Sequence, residues 1–185
     1  PNTVLPSRLL FESLNIFYGP SHFIVTIVAI VLLFRTAPQR YPTWRNTLAV
    51  TVALALLGFA FYPLMPPRLL PPHFGFNDTL QTVGGLWSFD SGTMQKISNQ
   101  YAAMPSLHFA WSSWCAFVLV PMIKPRIGKI LMGMYPFLTL FCIVVTANHY
   151  WADALGGAIA LSLGYLLGGR LLTDFVARRS STRAS

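Results

Sequence analysis

The chain has 185 residues, 54% of them hydrophobic and 10% charged, with a mean hydropathy of +0.55. A soluble domain carries about a quarter charged residues, so this balance excludes an ordinary soluble domain and indicates an integral membrane protein. The net charge of +8 does not point to nucleic acid, because the basic residues fall in short pieces between apolar runs, the pattern by which membrane proteins fix their orientation.

Residues 1–15 are mixed, and Val4, Leu5, Leu9, Leu10 and Leu14 fit one face of a short interfacial helix. An apolar run over 16–34, with His22 near its start, is the first predicted span. Residues 35–46 form a polar connector carrying Arg35, Arg40 and Arg45. The second span, 47–65, has 19 residues and no charge, close to the ~20 helical residues that a ~30 Å hydrocarbon core requires. It runs into a proline-rich piece, 66–72, that contains Arg68 and whose prolines close off the helix. Residues 73–100 mix Leu80, Val83, Leu86, Trp87 and Phe89 with Asp78, Asp90 and Lys96, and are predicted to lie in the interface. The third span covers 106–123, and a basic turn over 124–129 leads to the fourth, 130–147. A short polar turn, 148–153, leads to the fifth, 154–172, whose Gly156, Gly157, Gly164 and Gly168 suit close helix packing. Arg178, Arg179 and Arg183 sit in a tail expected to be solvated. Cys115 and Cys142 fall inside apolar runs without ligand spacing and are expected to be buried free thiols. The fold class predicted is an all-α polytopic membrane helix bundle with one membrane-embedded catalytic domain over 1–185.

Five spans place the connectors alternately on two faces. One face holds ten basic residues: Arg35, Arg40, Arg45, Lys124, Arg126, Lys129, Arg170, Arg178, Arg179 and Arg183. The other holds Arg8, Arg68 and Lys96. Positive charge marks the cytoplasmic side, so Pro1 and the polar stretches around 66–105 and 148–153 fall on the opposite side. An outside Pro1 implies one further span upstream, and thus a six-span parent.

Those stretches carry the residues that can do chemistry. His149 and Asp153 are four apart and share a face if the fifth helix begins near residue 148. A carboxylate bonded to one ring nitrogen leaves the other available as a nucleophile. Taken alone, the pair also fits an interfacial histidine beside a carboxylate at a helix N-terminus. Ser106 and His108 follow Pro105 at the start of the third span, where helix-end amides and a hydroxyl suit a phosphate and His108 can act as acid or base. Ser106 equally fits a plain N-cap, and Arg68 a snorkelling anchor. Five such groups converging on one membrane face favour function, because ionisable groups at membrane depth are costly. The cation and amides favour an anionic substrate, and the bilayer position favours a lipid. No acidic cluster suits a divalent ion, so neither metal nor cofactor is expected.

Pro105-Ser106-Leu107-His108 and His149-x-x-x-Asp153, with Arg68 upstream, resemble the type 2 phosphatidic acid phosphatase superfamily over residues 15–170. The fuller strings Pro66-Pro67-Arg68, Ala102 to His108 and Asn148-His149-Tyr150, with Tyr18-x-x-x-His22-Phe23, look most like the branch containing inositol phosphorylceramide synthases. The resemblance implies a phosphohistidine on His149, an orienting Asp153, and His108 as acid and then base. Arg68 and Ser106 would hold the phosphate oxygens. Two cations of the broad family pattern are absent: Phe61 stands for a lysine, and Cys142-Ile143 for a Ser-Arg pair. Lys96 or Arg8 could fill that gap. With fewer cations, a singly charged phosphodiester is easier to bind than a phosphomonoester with up to about two charges. The expected function is a membrane lipid phosphatase or phosphotransferase, with water or an alcohol as acceptor. The competing class is a non-catalytic binder or transporter of anionic lipids.

Overall fold

A computed structural model of the protein describes residues 4–82 and 102–184. Val83, Leu86, Trp87, Phe89, Asp90, Lys96 and Tyr101 lie outside the described residues, and with them most of the expected interfacial segment.

Among the described residues the chain is helical and has no strand. Helix α1, Val4–Tyr18, and α2, Ser21–Thr36, are separated at Gly19-Pro20, where proline has no N–H to offer a continuing helix. The predicted interfacial helix and first span are therefore one stretch interrupted once, and Arg8–Thr36 is apolar and long enough to cross a membrane. Helix α3, Tyr41–Phe61, starts earlier than the apolar run at 47 and stops before its predicted end at 65. It stops because Tyr62 precedes Pro63, and the residue before proline is driven out of helical geometry (φ −137°, ψ 69°). Short 3₁₀ turns, Pro67–Leu69 and Pro72–Phe74, and a single-turn helix α4, Thr79–Thr82, follow.

Helices α5, Leu107–Leu119, α6, Arg126–Val145, and α7, Trp151–Gly164, come next. Helix α6 begins at Arg126, so Arg126 and Lys129 lie on a helix and not in the predicted turn. After α7 the chain continues through a π-helical stretch, Tyr165–Leu172, into α8, Thr173–Ala184.

Helix α5 is the centre of the bundle and packs on α2, α3, α6 and α7. Trp114 and Val118 are fully buried there with Ala29, Leu33 and Leu161 around them, and the Trp114 indole N–H donates to the Trp44 carbonyl at 2.9 Å. The two cysteines are free and buried. Outward faces are apolar, with Ile24, Ile27, Leu56, Leu131, Phe137 and Leu155 each more than half exposed. Small polar groups turn inward: Thr47, Thr51, Ser112 and Thr146 are fully buried. This inversion of a soluble core fits a lipid surround, where helices associate through close packing and hydrogen bonds. With four helical stretches of membrane-crossing length and apolarity, the protein is an integral membrane helix bundle.

Glycines set the closest approaches. A Cβ on Gly164 or Gly168 would run into Thr51 or the Asn46 carbonyl on α3, and one on Gly157 would meet the Ser106 carbonyl. The last of these presses α7 against the loop that leads into α5, and so fixes two of the stretches that carry the polar residues.

Candidate active site

His149 belongs to the turn that ends α6. Ala147 takes a left-handed conformation (φ 54°), and the Asn148 and His149 N–H groups both donate to the Ile143 carbonyl at 3.0 Å. The predicted helix start near 148 is thus displaced: residue 150 is the N-cap, α7 begins at Trp151, and His149 stands just outside it. The contact with Asp153 survives, because the turn folds the ring back over the first helical turn. His149 Nδ1 lies 3.2 Å from Asp153 Oδ2 and 2.8 Å from the Ala103 carbonyl. A carbonyl oxygen can only accept, so Nδ1 carries the proton and donates to both. In the neutral ring this leaves the lone pair on Nε2.

Asp153 is fully buried. Its Oδ2 also accepts the Tyr150 N–H at 2.8 Å, a favourable position at the positive end of α7. Oδ1 is buried and has no partner among the described residues. Tyr150, in the turn, has its phenol raised by burial first and by the Asp153 charge second. The Ala103 peptide is fixed on both sides, since its N–H donates to the Leu64 carbonyl at 3.2 Å while its carbonyl receives His149.

Ser106 is the N-cap of α5: its Oγ accepts the Phe109 N–H at 3.4 Å, and its own N–H donates to the Asp153 carbonyl at 2.8 Å. Both readings of Ser106 are thus compatible, since a capping oxygen still has its hydroxyl hydrogen to give. His108, in the first turn of α5, faces His149 with ring centroids 5.6 Å apart. It is stacked on Tyr18 at 4.2 Å and packs on His22 at a steep angle, also at 4.2 Å.

Arg68 is tied in through its backbone, whose N–H donates to the Ala147 carbonyl at 2.9 Å. Its guanidinium pairs with Asp78, Nη1 to Oδ2 at 2.8 Å, while Nε is buried without a partner among the described residues. Asp78 Oδ1 caps α4 by accepting the Leu80 and Gln81 N–H groups at 3.1 Å. Of the positions read as missing cations, Phe61 is 84% exposed on the bundle surface and Ile143 is fully buried. Arg8 is exposed on α1.

The structure therefore brings His108, His149 and Asp153 into one cluster, with Ser106 joined to it by its backbone and Arg68 tied by its own amide to Ala147, two residues before His149. Sequence reasoning gave no role to the Ala103 carbonyl or to Asp78, and Tyr18 and His22 entered it in the resemblance without being placed at the site. Ala103 acts through a carbonyl that every residue type possesses. Asp78 sat in a segment read only as interfacial. Tyr18 and His22 carry a signal in their four-residue spacing, but His22 fits an interfacial histidine equally well.

This arrangement supplies a buried ring nitrogen with a free lone pair, a carboxylate to balance charge developing on that ring, and a second ring beside it. Such a set suits nucleophilic attack coupled to proton transfer. No curated protein and no solved structure matches the chain. A family model described as PAP2 superfamily matches residues 3–167, a range that holds every residue of the cluster. The chain belongs to the PAP2 superfamily.

Proposed function

We propose that the protein is an integral membrane lipid phosphatase or phosphotransferase working through a phosphohistidine. The observation that carries this reading is His149 Nδ1 held by two acceptors, which directs the Nε2 lone pair to the reaction. His149 Nε2 attacks phosphorus, the bond from phosphorus to the leaving oxygen breaks, and the ring proton of His108 goes to that oxygen. In the second half an acceptor hydroxyl attacks the phosphohistidine, its proton returns to His108, and the P–N bond breaks. Asp153 balances the charge on His149, while Arg68 and the Ser106 hydroxyl hold phosphate oxygens. The route uses no metal and no cofactor. The partners are a membrane lipid substrate and the bilayer itself.

Charge in the site supports a phosphodiester donor and headgroup transfer, as in the inositol phosphorylceramide synthase-like branch. Arg68 is already paired with Asp78, and neither Phe61 nor Ile143 adds a cation. A singly charged phosphate needs less compensation than a doubly charged one. The asymmetry of basic residues supports a site on the non-cytoplasmic face of the membrane.

The test is mass spectrometry of lipid products from purified protein given a phospholipid panel, with and without diacylglycerol, ceramide or inositol acceptors. A new phosphodiester that requires an acceptor is the expected result, with acid-labile phosphate on His149 and neither in His149→Ala. Free phosphate from phosphatidic acid would make the enzyme a phosphatase and sink the diester argument. Unchanged turnover in His149→Ala would end the phosphohistidine reading. Lipid binding without any product would favour a binder or transporter.

A further inference from the structure

His149 is aimed by hydrogen bonds, but among the described residues none is made by the His108 ring. It is instead held by rings from the N-terminal helices. Tyr18, the last residue of α1, lies flat on it (4.2 Å between centroids, 22° between planes), and His22, in the first turn of α2, packs on it at a steep angle (4.2 Å, 61°). These two are themselves linked, because His22 Nδ1–H donates to the Tyr18 carbonyl at 3.2 Å. Behind His22 stand Phe23 at 4.1 Å and Trp111 at 5.5 Å, and the latter two pack edge to face at 5.4 Å. His22 is buried. The clamp is therefore backed by two further rings, one of them on α5 one turn beyond His108 itself.

We propose that Tyr18 and His22 are positioning residues that set the plane of His108 for proton delivery to the leaving oxygen. The inference rests on the phosphate-transfer reading above. An acid that is not tethered by a hydrogen bond samples many ring orientations, and proton transfer demands one within hydrogen-bond reach of the departing oxygen. Flat stacking by Tyr18 and a steeply inclined contact by His22 restrict rotation of the ring about its bonds, while no hydrogen bond among the described residues holds either of its nitrogens. Both nitrogens then stay free of other partners, so the one that gives its proton to the leaving oxygen can take the acceptor's proton in the second half. This differs from His149, where one nitrogen is committed to Ala103 and Asp153 so that only the other can react.

The test exploits leaving-group chemistry. Tyr18→Ala, His22→Ala and Tyr18→Phe are purified in detergent and given two kinds of donor. Mixed micelles of phosphatidic acid, phosphatidylglycerol and phosphatidylinositol release diacylglycerol, a leaving group that must be protonated. Dodecyl 4-nitrophenyl phosphate releases 4-nitrophenolate, which departs without a proton. General-acid help is worth about 10²–10⁴-fold. In the first turnover, before the acceptor's proton has to reach His108, the alanine variants should therefore lose about tenfold or more in the rate of diacylglycerol release and less than about threefold in that of 4-nitrophenolate release. Tyr18→Phe, which keeps the stacking face, should recover most of the diacylglycerol release. Equal losses on both donors would show that the rings only support the fold, and no loss on either would show that they position nothing. Either result overturns the proposal while the parent reading stands. A wild-type protein that cleaves neither donor, or a His149→Ala protein that cleaves both, overturns the parent reading and this one with it.

Discussion

Asp153 serves two donors with a single carboxylate oxygen, the His149 ring and the Tyr150 amide. Asparagine can keep one accepting oxygen there, and the Ala103 carbonyl continues to hold the Nδ1 proton. Asp153→Asn should therefore lose charge compensation but not the tautomer. A hydrogen bond to a charged group contributes about 1.5–3 kcal/mol, or about 10- to 100-fold in rate. Product assays should show a fall of that size, well short of the loss in His149→Ala. A fall to the His149→Ala level would mean that Asp153 alone fixes the ring. Asp78 offers a separate test. Asp78→Asn retains a side-chain acceptor for the α4 cap but frees the Arg68 charge. KM for a phosphomonoester should drop relative to that for a phosphodiester, and steady-state kinetics on both would show it. The His149–Asp153 spacing was legible in the sequence because both partners are side chains. The Ala103 carbonyl was not, because a main-chain acceptor leaves no mark on residue identity.

At the scale of the element, Gly157 decides how α7 meets the loop into α5. A Cβ there would run into the Ser106 carbonyl, whereas one on Gly133 meets nothing within 4 Å. Overpacking of this kind costs about 1–3 kcal/mol. Replacing an unconstrained glycine in a helix by alanine gains about 0.5–1 kcal/mol. Gly157→Ala should thus lower Tm in detergent and impair turnover by displacing Ser106, while Gly133→Ala should raise Tm or leave it unchanged. Apolar runs gave the order of the helices but not their ends. Helix α3 extends back through Trp44 and Arg45, whose polar atoms suit an interface, and it ends where Pro63 dictates. The interruption at Gly19-Pro20 was written in the sequence, yet apolar length outweighed it in the reading of the first span.

The whole molecule is organised by α5, which touches four neighbours and presents Ser106 and His108 at one end. Composition alone indicated the membrane bundle, because an outward apolar surface over small inward polar groups requires this much hydrophobic residue. The assembly of the cluster was less legible, since it depends on two long-range main-chain bonds: the Arg68 amide on the Ala147 carbonyl at the end of α6, and the Ser106 amide on the Asp153 carbonyl in the first turn of α7. Helix α5 is also short. Its 13 residues rise about 20 Å, less than the ~30 Å that a bilayer interior measures. If the turn at Lys124 rests among headgroups on one side, the end that carries Ser106 and His108 lies sunk beneath the opposite headgroup layer. A lipid phosphate would then have to descend to reach His149, or the membrane would have to thin around the protein. Hydrophobic mismatch becomes part of substrate delivery. Turnover in nanodiscs should rise as acyl chains shorten and fall as they lengthen, at constant headgroup and protein stability. A rate indifferent to chain length would place the cluster level with the headgroups instead.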